Sequence, residues 1–147
     1  MNPYRIVIQK IYPGKLAVPR STLKTWAILP LQDLPSASLT LRLVSNDDMQ
    51  HLNHTYRHQP TPTNILAFPS QLLPDLPQKH PFLGDLVIAP DVLHAEYTHF
   101  CNRLDAHWAH ILIHGILHLR GYTHETPADT ARMQAQEAHW LAQLQFP

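Results

Sequence analysis

The sequence predicts an α+β domain in which a small mixed sheet of about four strands packs against about five helices, one of them central and buried. Three observations lead there. Segments with period-two alternation cluster early in the chain, segments with helical spacing fill the last third, and no regular β–α alternation of a doubly wound sheet links them. With 147 residues, 44% hydrophobic and 15% charged, the chain is long enough for one core and too apolar to stay disordered. Residues 1–147 therefore read as a single domain.

The elements follow in order. Arg5 to Ile11 alternates Ile6 and Ile8 with polar neighbours, which is a strand pattern. Pro19 opens a helix through Leu29, because proline is tolerated in a first turn, and Pro30 closes it. Ser38 to Val44 alternates again and predicts a second strand. Ser45, with Asp48 three residues on, caps a helix over residues 46–58, whose Met49, Leu52 and Tyr56 form an apolar stripe. Two apolar runs, Ile65–Phe68 and Phe82–Ala89, are expected as strands joined by a long loop bearing Pro69, Pro74, Pro77 and Pro81. A helix then starts at Pro90 or Asp91 and runs to about Asn102. The next begins after Asp105 as its N-cap, and a last amphipathic helix covers about residues 127–144.

Composition narrows the function classes. Eleven basic residues balance 11 acidic ones, which argues against coating nucleic acid by bulk attraction while leaving room for a local basic pocket. The single cysteine, Cys101, makes no internal disulfide and suits a reducing compartment. Neither a signal-peptide pattern at the start nor a bilayer-length apolar run is present, so the expectation is a cytoplasmic protein without a membrane partner. The counts that stand out are 12 histidines and only 4 glycines. Scarce glycines are expected where a side chain would obstruct something, and three of them, Gly84, Gly115 and Gly121, fall in the segments that carry the chemistry.

The most informative segment is His114 to Glu125, HGILHLRGYTHE. Around it Trp108, Ile111, Leu112, Ile113, Ile116, Leu117 and Leu119 make the helix apolar over most of its circumference, the mark of a buried helix. His114 and His118 lie one turn apart on it, with Cβ atoms roughly 6 Å apart, and both rings can reach one cation at about 2.0–2.1 Å. Gly121 lets the chain leave the helix in a left-handed conformation and return His124 to the same point. Three imidazoles with an open fourth position fit a catalytic zinc, although nickel or copper also suits such ligands. His107 and His110 extend the same face and are expected as partly exposed residues near the cavity mouth. The spacing matches the metalloprotease signature H-E-x-x-H-x-x-G-x-x-H, except that Gly115 replaces the glutamate that serves as base. Peptide hydrolysis by that route is therefore disfavoured.

His114 to His124 resembles the hallmark H-G-x-L-H-L-x-G-Y-D-H of the YbeY family of bacterial rRNA maturation factors, differing only at Thr123. Two further stretches are similar to family motifs: Tyr56 and Arg57 followed by Pro62 to Pro69, and Leu83 to Ile88. Asn64 stands in place of a family aspartate, and Gln59 and Pro60 replace a Lys-Asp pair. The resemblance implies a single-strand-directed, metal-dependent endoribonuclease. Its partners would be single-stranded RNA or rRNA and the ribosomal small subunit or its assembly factors. It further implies His114, His118 and His124 as metal ligands and Arg57 as a catalytic residue, whose guanidinium can fork onto two phosphate oxygens. Asp85 is expected to cap or orient a loop, Glu125 to accept from a ligand histidine, and the loop at residues 69–81 to wall the site. Two other readings stand beside this one: a non-catalytic ribosome-associated assembly factor with a structural metal, and a zinc-dependent peptide or amide hydrolase.

Overall fold

A computed structural model describes residues 2–59, 61, 63–70, 80–144 and 146. Its strands are β1 (Tyr4–Lys10), β2 (Ala37–Leu43), β3 (Ile65–Pro69) and β4 (Phe82–Ile88), arranged in one sheet of order β1-β2-β4-β3. β2 pairs in parallel with β1 and with β4, and β3 runs antiparallel to β4 at the edge. The sheet is thus mixed, as expected. In β2 the alternation is complete: Ala37, Leu39, Leu41 and Leu43 are buried, while Ser38, Thr40 and Arg42 are only half-buried.

The described residues form five α-helices: α1 (Arg20–Ile28), α2 (Asn46–Arg57), α3 (Pro90–Glu96), α4 (Leu104–Leu119) and α5 (Pro127–Ala142), of which α4 packs on the sheet and α3 and α5 pack on α4. Met49 of α2 packs on one face with Val44, Leu66, Val87 and Ala89. The other face carries the main core, where α4 contributes Trp108, Ile111, Leu112 and Ile116 against Leu39, Leu41, Leu86 and Ile88. Burying each such aliphatic side chain is worth about 1.5–3 kcal/mol, so α4 is fixed in place by its apolar girdle. It is the central buried helix of the sequence prediction.

Gly115 explains how close α4 comes to the sheet. A Cβ at that position would run into Ile65 Cδ1 and lie 2.9 Å from Leu86 Cδ2. Here the glycine serves packing. Pro30 ends α1 as expected, yet the chain continues through a 3-10 turn at Leu29–Leu31 before leaving. Ser45 caps α2 by accepting from the Asp48 amide at 3.2 Å, and Thr126 caps α5 by accepting from the Asp129 amide at 3.0 Å.

Two sequence expectations need correction. The helix from Pro90 to about Asn102 is shorter: α3 stops at Glu96 and a 3-10 turn follows at Tyr97–His99. Pro90 and Leu93 are buried, whereas none of Tyr97 to His99 is, so the stripe that would hold a longer helix on the core has run out. Asp105 is not the N-cap of α4; extended Arg103 holds that place and Asp105 sits inside the first turn. There its carboxylate accepts from the Ala106 amide at 2.8 Å and from the Arg103 guanidinium at 3.0 and 2.7 Å. Of the proline-rich connection, residues 71–79 lie outside the described residues, and with them the expected wall of the site. Among the described residues, no helix is long and apolar enough to cross a membrane.

Candidate metal centre

Helix periodicity brings the first two histidines together. His114 and His118 both lie on α4, half-buried, and their Nε2 atoms are 3.1 Å apart. The helix then ends in two hydrogen bonds: the Gly121 amide donates to the His118 carbonyl and the Tyr122 amide to the Leu117 carbonyl, each at 3.0 Å. Gly121 takes φ +97° at this exit, and no described residue comes within 4 Å of where a Cβ would be, so its backbone conformation is what requires glycine, not space. The reversal delivers His124, whose ring centroid lies 5.1 Å from that of His114 and 5.0 Å from that of His118. One nitrogen from each of the three rings falls within 4.8 Å of the others.

The opposite ring nitrogens fix the tautomers. His118 Nδ1 is 2.9 Å from the Tyr122 carbonyl and His114 Nδ1 is 2.6 Å from Glu137 Oε1. A carbonyl and an ionised carboxylate only accept, so each Nδ1 carries a proton, and in the neutral rings each Nε2 presents a bare lone pair. Two lone pairs aimed at one another across 3.1 Å repel unless a cation lies between them. A cation at about 2.05 Å from both would see them at about 98°, near tetrahedral. The donor set therefore fits a divalent transition metal held by His114, His118 and His124. Burial, then the neighbouring His114, holds the His118 imidazole below its ordinary pKa, which favours the neutral form that a ligand needs.

Glu137 was not foreseen. It lies on α5 with its side chain 11% exposed and bridges two imidazoles, His114 through Oε1 at 2.6 Å and His110 through Oε2 at 2.9 Å. Burial resists its ionisation, but the hydrogen bonds from His110 and His114 outweigh that and hold its carboxyl down at about 2. A signal was present: Glu137 falls between Met133 and Trp140 on the buried stripe of α5, an unusual place for a carboxylate without a partner. Glu125 is exposed, and the acceptors for His114 and His118 are Glu137 and the Tyr122 carbonyl instead.

The remaining expected residues divide. Arg57, the last residue of α2 and exposed, lines one cleft of about 580 Å³ together with Asn64, His114, His118, Thr123 and His124. The structure thus joins Arg57 to the histidine trio. His107 does not sit at the mouth: it is 2% exposed, and its Nε2 bonds Glu96 Oε1 at 2.9 Å. His110 is partly exposed, as expected, yet it lines a separate pocket beside Phe100 and Cys101. Thr123 donates to the Asp129 carboxylate at 3.3 Å, so an acidic group from α5 stands near the position where the motif carries aspartate. Asp85 lies in β4, in register with Phe68 and Thr40.

A buried helix with two imidazoles, a third from its exit turn and a cleft beside them form a histidine cluster that could hold a metal ion. The sequence pattern of the family described as Endoribonuclease YbeY matches residues 20–145, and the chain belongs to that family. It is 44% identical over 144 residues to the endoribonuclease YbeY of Legionella pneumophila (strain Corby), covering 97% of this chain and 91% of that one. To the endoribonuclease YbeY of Pseudomonas putida (strain W619) it is 42% identical over 128 residues, covering 86% and 81%. The solution structure of TM1509 from Thermotoga maritima superposes with a TM-score of 0.64 at 26% identity, over 94% of this chain and 86% of that one.

Proposed function

We propose that this chain is a metal-dependent endoribonuclease that cuts single-stranded RNA in rRNA maturation, at the 16S 3′ end, and in ribosome quality control, working in the cytoplasm. The convergence of the His114 and His118 Nε2 atoms at 3.1 Å, inside a cleft that Arg57 also lines, carries this reading. His114, His118 and His124 hold one zinc ion, with nickel or another divalent transition metal as the alternative occupant. When bound, the cation supplies a Lewis acid that polarises phosphoryl oxygen and acidifies water. Glu137 and the Tyr122 carbonyl keep two of the rings turned to it through their Nδ1 protons.

Arg57 binds the phosphodiester, its guanidinium matching two phosphate oxygens and offsetting the charge that builds as phosphorus becomes five-coordinate. Gly115 offers no proton acceptor next to His114, so no glutamate base of the peptidase kind acts here. The nucleophile is then a water or the adjacent 2′-OH, and the product ends distinguish them: the 2′-OH route leaves a cyclic phosphate and a 5′-hydroxyl. Unpaired RNA suits the cleft because its bases and phosphates can be splayed into it.

The test is elemental analysis of the purified chain with a single-stranded RNA digest, with and without chelator. We expect cleavage that chelation abolishes and zinc restores, and a loss of at least about 100-fold in His114→Ala, the scale of a disabled catalytic group. Undiminished cleavage by His114→Ala overturns the site. If chelation lowers only the melting temperature while ribosome binding survives in His114→Ala, the metal is structural and the chain an assembly factor.

A further inference from the structure

Three residues remain without a role in this chemistry: Asn64, which lines the cleft, and the Glu96–His107 pair behind it. Asn64 Nδ2 donates to Glu96 Oε1 at 2.9 Å, and the same oxygen accepts from His107 Nε2 at 2.9 Å. His107 is the anchor: its side chain is 1% exposed, and Phe100 stacks flat on it with ring centroids 5.1 Å apart and planes 8° apart. Among the described residues its buried Nδ1 has no partner, which fits an imidazole whose proton sits on Nε2 and points at Glu96. Glu96 is itself held at the end of α3, 23% exposed. The Asn64 carbonyl accepts from the Ala89 amide at 3.0 Å, which pins the backbone of the same residue.

This chain decides which way round the Asn64 amide lies. A carboxylate has no proton to give, so the amide nitrogen must face Glu96 and the oxygen Oδ1 must occupy the other end. Asn64 lines the cleft that holds Arg57 and the three histidines. An aspartate at this position would put a second carboxylate against Glu96; asparagine and Glu96 are a matched pair.

We propose that Asn64 is a specificity-determining residue whose Oδ1, locked in orientation by Glu96 and His107, accepts a hydrogen bond from a ribose 2′-OH of the bound strand. The inference rests on the reading of this chain as an RNA-binding enzyme and adds how the cleft tells RNA from DNA. An acceptor that cannot turn over to become a donor selects a hydroxyl and gains nothing from a 2′-deoxy or 2′-O-methyl sugar. Glu96 and His107 are positioning residues that never meet the strand.

The test is direct binding of three fluorescent single-stranded oligonucleotides of one sequence, ribo, 2′-deoxy and 2′-O-methyl, to the intact chain in the cold, with oligonucleotide integrity verified. One neutral hydrogen bond predicts a preference of about three- to tenfold for the ribo strand. Asn64→Ala is expected to bring that ratio near one by weakening only ribo binding. Glu96→Leu should do the same with Asn64 intact, and Glu96→Gln, which keeps an acceptor for the amide, should restore most of the ratio. A merely structural role would weaken all three strands together. An unchanged ratio in Asn64→Ala or in Glu96→Leu overturns the inference while leaving RNA binding in place. Failure of the unaltered chain to bind any of the strands overturns the RNA reading itself.

Discussion

Replacing Glu137 with glutamine isolates what the bridging carboxylate contributes. Glutamine keeps the shape and one acceptor oxygen. If that oxygen turns to His114 Nδ1, the amide nitrogen faces His110, which is 42% exposed and free to change tautomer. His114 then keeps a hydrogen bond but loses its ionised partner at 2.6 Å, and charge-assisted bonds of this kind are roughly twice as strong as neutral ones. Loss of such an outer acceptor weakens metal binding by about 10–100-fold, equivalent to about 1.4–2.8 kcal/mol. Competition for zinc against a chromophoric chelator reads the change, with melting curves of both metal-free proteins as the control for folding. Zinc affinity of Glu137→Gln within twofold of the unaltered chain would refute the argument that this carboxylate orients the ligand.

Two further perturbations probe the scaffold. Gly115→Ala sets a helix-propensity gain of about 1 kcal/mol against an overpacking cost of about 1–3 kcal/mol at Ile65 and Leu86, and the net is a lower melting temperature; a stabilised variant would contradict the close approach of α4 to the sheet. Arg120, just past α4, forks onto Asp33 at 2.7 and 3.0 Å. The hydrogen bond from Arg120 holds the Asp33 carboxyl below its ordinary value of 3.8. A depressed carboxylate stabilises the fold above that value and loses its contribution as pH falls through the folded pKa. Asp33→Asn should therefore melt earlier near neutrality, by at most about 1 kcal/mol for a pair this exposed, and the difference should fade below about pH 4. A difference that grows on acidification would reverse the sign.

Local patterns were the legible part of this molecule. His114 and His118 are one turn apart on a helix whose apolar girdle can be counted in the sequence, and Gly121 announces the turn that returns His124. The strand alternation of β2 was equally plain. What stayed hidden depends on partners distant along the chain. Glu137 lies 23 residues from His114 and meets it only because α5 packs beside α4. His107, read as a residue of the cavity mouth, is buried under Phe100 and bonded by Glu96 from the end of a helix that stops sooner than its spacing suggested. Asp105 looked like a cap because its side-chain chemistry suits one, and Arg103 draws it into a different pairing. The order of strands in the sheet likewise rests on long-range pairing that periodicity does not encode.

The three imidazoles come from eleven consecutive residues, His114 to His124. All three lie within one helical turn of α4 and its exit, outside β1, β2 and β4. If they hold the proposed zinc, a partly unravelled chain that keeps this segment is expected to retain some affinity for it. Affinity for such states offsets part of the protection that loading gives the finished fold, so the thermal shift on adding zinc falls short of what the native dissociation constant alone dictates.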